Sequence, residues 1–240
     1  MAWLSAALAV LVSISACRAN PPPRRPIPGK VDLSSLQATY GKALYSQDDE
    51  ETLVRAFFVD RRGGLFVDVG AGDPVRDSTT CYLEKHLGWH GIAVDANADY
   101  GDDYRRERPA TRFFGYFAGR VSKRQHDFFV AEDRRFSSGD GTDPRGGRYR
   151  RRAVETIALR ELLEREGLSS IDFLSMDIEG AEPEALAGLD LGRFRPELAC
   201  IEVSSPAAGL AIAEQLALAG CREVAAYRAV DPINRYYTCR

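Results

Sequence analysis

The chain has 240 residues, enough for one domain with a full core and a short tether. Hydrophobic residues make up 45% of it and charged residues 28%, which excludes a disordered chain and a many-pass membrane protein. Its 32 basic and 35 acidic side chains leave a formal charge of −3, without the basic excess of a dedicated nucleic-acid binder, and five Cys and three His with no close Cys pair argue against a structural zinc site.

Ala2 to Cys17 (AWLSAALAVLVSISAC) is apolar and uncharged. As a helix it spans about 24 Å, short of the roughly 30 Å of a bilayer core. Residues 1–17 therefore read as a signal peptide, a lipoprotein signal ending in Ile14-Ser15-Ala16-Cys17, or a short membrane anchor, although no positive charge precedes the apolar run. An N-terminal helix packed on the domain is the plainer alternative. Asn20 to Lys30 holds five prolines in eleven positions, the composition of a stiff extended spacer. The expected organisation is a targeting segment (1–17), a linker (18–30) and one domain (31–240), placed at a membrane or exported, or cytoplasmic if the first segment is no signal.

Acids at 48–51 precede Leu53, Val54, Phe57 and Phe58, a helical spacing that Gly63-Gly64 ends. Leu65 to Val69 is an apolar run closed by glycines, the pattern of a buried parallel strand. A helix over 78–87, a strand over 91–95, a helix over 100–108 and a strand over 112–117 follow. Phe128 to Val130 is strand-like, and Ser137 to Gly147 reads as a loop. A helix from Leu159 to Gly167, a strand over 171–177, a short helix over 182–189, a strand over 198–203 and a helix over 207–218 complete the alternation. Val224 to Val230 and Tyr236 to Cys239 suggest a final antiparallel pair turning at Asp231-Pro232. Strands alternating with helices imply an α/β fold around a mostly parallel sheet.

In such sheets ligands bind beyond the carboxyl ends of the strands, at the topological switch point. After the first strand comes Asp68-Val69-Gly70-Ala71-Gly72-Asp73-Pro74, in which Gly70 and Gly72 allow a tight turn and a close ligand. The third glycine of the dinucleotide pattern is absent, and Asp68 would repel a pyrophosphate. Asp95, ending the second strand, is placed to accept hydrogen bonds from a ribose diol. Together they fit S-adenosylmethionine, which carries a sulfonium and a ribose but no phosphate; a plain tight turn is the bland alternative. Ser175 to Glu182 (SMDIEGAE) puts three carboxylates into six residues at another strand end. Asp177 and Glu179 could deprotonate or orient a hydroxyl, or bind a cation, while Glu182 also suits the first turn of a helix.

Phe66 to Gly72, Tyr82-Leu83-Glu84 with Gly88 to Asp95, and Ile171 to Glu182 followed by Leu186-Ala187-Gly188 resemble the FkbM family of S-adenosylmethionine-dependent methyltransferases. The resemblance covers about Ser46 to Cys239, and Asp172 to Glu182 is its most specific stretch. It implies a Rossmann-like seven-stranded methyltransferase sheet with helices on both faces and an antiparallel C-terminal strand. It also implies O-methylation of a hydroxyl on a small molecule, sugar or glycan. Asp68, Gly70 and Gly72 would hold the methionine end of the cofactor and Asp95 its ribose, while Asp177 and Glu179 would face the transferring methyl. Pro74, where a small residue is often seen, and the N-terminal apolar run depart from the pattern. The second leaves the cofactor supply of an exported domain unexplained, so a non-catalytic, membrane-tethered module binding a glycan or protein is the alternative.

Lesser signals have ordinary readings. His86 and His90 suit packing or surface positions better than a metal pair, and His126 would serve as a base only if its segment folds over the site. The runs Arg105, Arg106, Arg108 and Arg148, Arg150 to Arg152 suit solvated faces more readily than an acidic glycan. Cys200 reads as a free core thiol, and no spacing assigns a partner to Cys81, Cys221 or Cys239. No metal is assigned.

Overall fold

A computed structural model describes residues 29–132, 137, 139 and 148–239. The proposed targeting segment, most of the Pro-rich linker and most of the 137–147 loop lie outside them. Two helices come first, α1 (Leu33–Tyr40) and α2 (Glu50–Phe58). The core then alternates as β1 (Leu65–Val69), α3 (Cys81–Leu87), β2 (His90–Asp95), α4 (Gly101–Glu107) and β3 (Thr111–Gly115). Three further strands, β4 (Phe117–Gly119), β5 (Gln125–Ala131) and β6 (Tyr149–Ala158), form a small sheet of order β4-β6-β5. The alternation resumes with α5 (Leu159–Arg165), β7 (Phe173–Met176), α6 (Glu182–Ala187), β8 (Leu198–Glu202) and α7 (Pro206–Leu218), and closes with β9 (Arg222–Glu223) and β10 (Asn234–Thr238).

The main sheet has seven strands in the order β3-β2-β1-β7-β8-β10-β9. The five from β3 to β8 pair in parallel, and β10 runs antiparallel to both β8 and β9. This is the mostly parallel, Rossmann-like methyltransferase sheet expected, including its antiparallel C-terminal strand. Chain order reverses between β1 and β7, which makes that seam the switch point. Register keeps the strand ends level there: Val69 lies opposite Val94 on β2 and Met176 on β7. Gly70, Asp95 and Asp177 therefore leave the sheet side by side.

Strand alternation supplies both cores. Val67, Val69, Ile92, Val94, Leu174, Met176 and Ile201 pack with Leu159, Leu162 and Leu163 of α5, Leu186 of α6, and Ile212 and Leu216 of α7. Phe66, Phe173, Leu198 and Tyr236 pack on the other face with Leu53, Val54 and Phe58 of α2, Leu83 and Leu87 of α3, and Trp89. Among the described residues, no helix is long and apolar enough to cross a membrane.

Four features differ from the sequence expectation or go beyond it. The segment preceding α2 contains α1, which Asp32 caps by accepting the Ser34 N–H. The arginine run 150–152 is not a loop or helix face but part of β6, where Arg150 and Arg152 pair with Asp99 and Arg151 with Asp127. Val224–Val230 is not the hairpin partner of the last strand. Its Ala-rich middle (Ala225–Ala229) forms a 3-10 turn, and β10 pairs instead with β8 and β9. Finally, Cys221 and Cys239 form a disulfide, while Cys81 and Cys200 are free and buried.

Candidate active site

At the switch point the turns after β1, β2, β7 and β8 surround a cavity of about 450 Å³. That lies within the roughly 300–1,000 Å³ usual for small-molecule and cofactor sites. Eight carboxylates line it against a single basic group, Arg76, among the described residues. A cationic centre is favoured in such a hollow and a phosphate is disfavoured.

Gly70 and Ala71 both donate their N–H groups to the Val94 carbonyl, at 2.8 and 3.2 Å, which bends the chain out of β1. Gly70 has a φ of 77°, and a Cβ there would sit 1.6 Å from the Asp177 carbonyl oxygen. Its missing side chain thus makes room for the β7 turn. Gly72 differs: its φ is 53° and the nearest atom to a Cβ would be 4.0 Å away, so its open side faces free space. The Gly72 N–H donates to Asp95 Oδ2 at 2.9 Å, and the Asn97 N–H to Asp95 Oδ1 at 2.7 Å. Each oxygen keeps acceptor capacity for a ligand hydroxyl. Burial pushes the Asp95 carboxyl up to about 6, against those two hydrogen bonds, which favour the ionised form.

The structure brings together Gly70, Gly72, Asp95, Asp177 and Glu179, all of which line the cavity. Asp68 does not join them. It lies within β1, opposite Ala93 on β2, and is 5% exposed. Its Oδ2 accepts the Thr80 hydroxyl at 2.6 Å, and burial raises its pKa despite Thr80 and the nearby Arg108. Asp68 therefore does not line the cavity, and its carboxylate is engaged by Thr80. Arg108, read from sequence within a solvated run, is fully buried. It donates to Glu84 Oε2 (2.6 Å), the Pro74 carbonyl (3.0 Å), Ser78 Oγ (3.2 Å) and the hydroxyls of Thr80 and Thr111 (3.1 and 3.2 Å). The turn after β1, α3 and β3 are thereby fastened to one guanidinium.

On the other side of the seam the Asp177 N–H donates to the Val69 carbonyl at 2.9 Å. The chain then turns through Glu179 and Gly180, with φ of 56° and 100°. Glu182, the first residue of α6, is 0% exposed, and its Oε1 accepts the N–H groups of Ile178 (2.9 Å) and Gly180 (3.1 Å). Its helix-start role is real, and it extends to holding the Asp177–Glu182 turn. Glu202 ends β8 beside this group. Asp177 is open to the cavity but set deep among protein and carboxylates, so its pKa is raised well above the ordinary value, first by desolvation and then by Glu202 and Glu179. Desolvation and Glu179 likewise push Glu202 up to about 7.

Several lining residues were not assigned to the site from sequence. Glu202 ends a parallel strand, the same signal that singled out Asp95, and could have been found by it. Glu50, whose Oε1 accepts from Asn234 Nδ2 at 3.3 Å, lies far from the strand ends in sequence and gave no signal. Phe117 and Phe128 of the small sheet overhang the cavity, and His126 stacks on Phe117 with ring centroids 3.9 Å apart. His86 stacks on Tyr82 and bonds Tyr45, in keeping with packing.

A switch-point cavity with an open glycine turn, a carboxylate ending β2 and an acid-rich far wall marks an α/β protein that favours a cationic or neutral ligand over a phosphate. The methyltransferase domain of the FkbM family matches residues 68–222, and the chain belongs to that family. S-adenosylmethionine is its cofactor. No curated protein matches the chain. Similar solved structures include the TehB-like SAM-dependent methyltransferase of Corynebacterium glutamicum, at 14% identity over 87% of this chain and 95% of that one, with a TM-score of 0.43. The precorrin-6y C5,15-methyltransferase of Geobacter metallireducens aligns at 14% identity over 76% and 79%, with a TM-score of 0.42. The Bacillus cereus O-methyltransferase in complex with SAH aligns at 12% identity over 88% and 82%, with a TM-score of 0.39.

Proposed function

We propose that the protein is an O-methyltransferase acting on a hydroxyl of a small molecule, sugar or glycan. The observation that carries this reading is the single acid-rich cavity into which both the Gly70–Gly72 turn with Asp95 and the Asp177–Glu202 group open. Bound S-adenosylmethionine supplies an electrophilic methyl on a positively charged sulfur. Asp95 would accept the ribose hydroxyls, and the turn at Gly70 and Gly72 would let the methionine end lie against the main chain. Asp177 and Glu179 would orient the acceptor hydroxyl at the other end of the cavity. A carboxylate of this group would take the hydroxyl proton as the oxygen–methyl bond forms and the methyl–sulfur bond breaks, leaving neutral S-adenosylhomocysteine. Most of the rate gain comes from holding the two reactants in line, a proximity effect.

Titration calorimetry with S-adenosylhomocysteine tests the cofactor half. Asp95→Ala should weaken binding by about 1.5–3 kcal/mol, the scale of hydrogen bonds to a charged group. Unchanged affinity would remove the ribose role. Methyl-labelled cofactor offered with hydroxylated acceptors tests the other half: label appearing only on nitrogen or carbon would defeat O-methylation. The Cys221–Cys239 disulfide and the apolar N-terminal run support an exported or membrane-tethered domain. A reporter fused after Arg240 and assayed on both sides of the membrane checks this, and reporter activity confined to the cytoplasm would reject it.

A further inference from the structure

We infer that Asp177, Glu182 and Glu202 form a binding site for one hard divalent cation of the Mg²⁺, Mn²⁺ or Ca²⁺ class. One carboxylate oxygen from each of the three lies within 4.8 Å of the others. Cation–oxygen distances of about 2.0–2.6 Å place any two ligands of one ion no more than about 4–5 Å apart. The spacing therefore fits one ion held by three oxygens.

An independent observation points the same way. Glu182 is fully buried, and its Oε2 has no hydrogen-bond partner among the described residues, while its Oε1 is used by Ile178 and Gly180. Glu202 Oε2 is a second buried oxygen without a partner. No described ion pair joins Asp177, Glu182 or Glu202 to an arginine or lysine. Leaving buried carboxylate oxygens bare is costly. A proton shared between Asp177 and Glu202 relieves that pair but leaves the Glu182 oxygen bare, whereas a cation serves all three. Asp177 and Glu202 line the cavity and Glu182 lies behind them, so the ion would be held from the protein side with its remaining positions turned to the cavity, where water or a hydroxyl completes the shell. The site stands on these carboxylates; only its use in orienting an acceptor hydroxyl rests on the methyl-transfer reading.

The test is titration of the full chain with Mn²⁺, followed by the resonance signal of free Mn²⁺ and by thermal melting. One Mn²⁺ per chain should bind and raise the melting temperature by linkage. Glu182→Gln keeps an amide oxygen for the Ile178 and Gly180 N–H groups but replaces the bare oxygen, and it should weaken Mn²⁺ by about tenfold or more. A purely structural Glu182 would instead lower the melting temperature equally with and without Mn²⁺. Should Glu182→Gln fail to fold, Glu202→Gln, whose side chain bonds no backbone N–H, carries the same expectation. Absence of saturable Mn²⁺ binding, or binding undiminished in the variants, overturns the site. S-adenosylhomocysteine binding without Mn²⁺ binding defeats the cation site and leaves the methyltransferase reading intact. Mn²⁺ binding without S-adenosylhomocysteine binding supports the site and counts against the cofactor assignment.

Discussion

Asp95 and Asp68 are both acids at the ligand-facing end of the sheet, yet their positions relative to the strand ends separate their roles. Asp95 stands at the last residue of β2 and reaches the cavity, while Asp68 is one residue short of the end of β1 and is turned to Thr80. A raised carboxyl pKa means that the folded state binds a proton more readily than the unfolded chain. The Asp95 contribution to stability thus falls as pH rises from about 4 to about 6 and stays low above it. On the proposed ribose role a bound cofactor would have the opposite preference, because its ribose hydroxyls would donate to the ionised form. S-adenosylhomocysteine affinity should therefore drop as pH falls through about 6, and calorimetry on Asp95→Asn should show that dependence flattened. At Gly70 the expectation is structural: Ala would place its Cβ on the Asp177 carbonyl, so Gly70→Ala should unfold the turn or lower the melting temperature sharply. Gly72→Ala meets no such atom and should spare the fold. Sequence revealed that both glycines matter but not that they serve different neighbours, since a contact across more than a hundred residues leaves no local pattern.

The apolar strands of the main sheet were readable because burial on both faces forces a nearly continuous hydrophobic run at β1, β2, β7 and β8. The small sheet was not. Three consecutive arginines in β6 hide a strand whose inward residues emerge only at Val154, Thr156 and Ile157, and a loop reading of that composition is natural. The last strand was placed correctly, but its partner was not, because β9 is two residues long and carries no periodicity. Arg108 shows the same limit in reverse: beside Arg105 and Arg106 it looks solvated, yet it joins α3, α4 and β3. Replacing it with Met strands the carboxylate of Glu84, so chemical denaturation should register a loss of about 3–5 kcal/mol. A change near zero would mean that the network is dispensable.

Across the whole molecule, the Cys221–Cys239 bridge, 18 residues apart in sequence, ties the residue before β9 to the residue after β10. Loop-closure entropy puts its worth at about 3 kcal/mol, so melting in the presence of reductant should show a clear loss of stability. The surroundings of the cavity are fastened by different physics. The turn after β1 rests on the buried Arg108 network, whereas β6 is joined to Asp99, in the turn after β2, through Arg150 and Arg152 and to Asp127 of its neighbour β5 through Arg151, and these pairs are largely exposed. Dissolved electrolyte screens the second kind far more than the first. Raising ionic strength should accordingly speed amide exchange in β6 while hardly touching the Gly70–Gly72 turn, so the small sheet beside the cavity, and not the turn after β1, would answer to the medium in which the protein works.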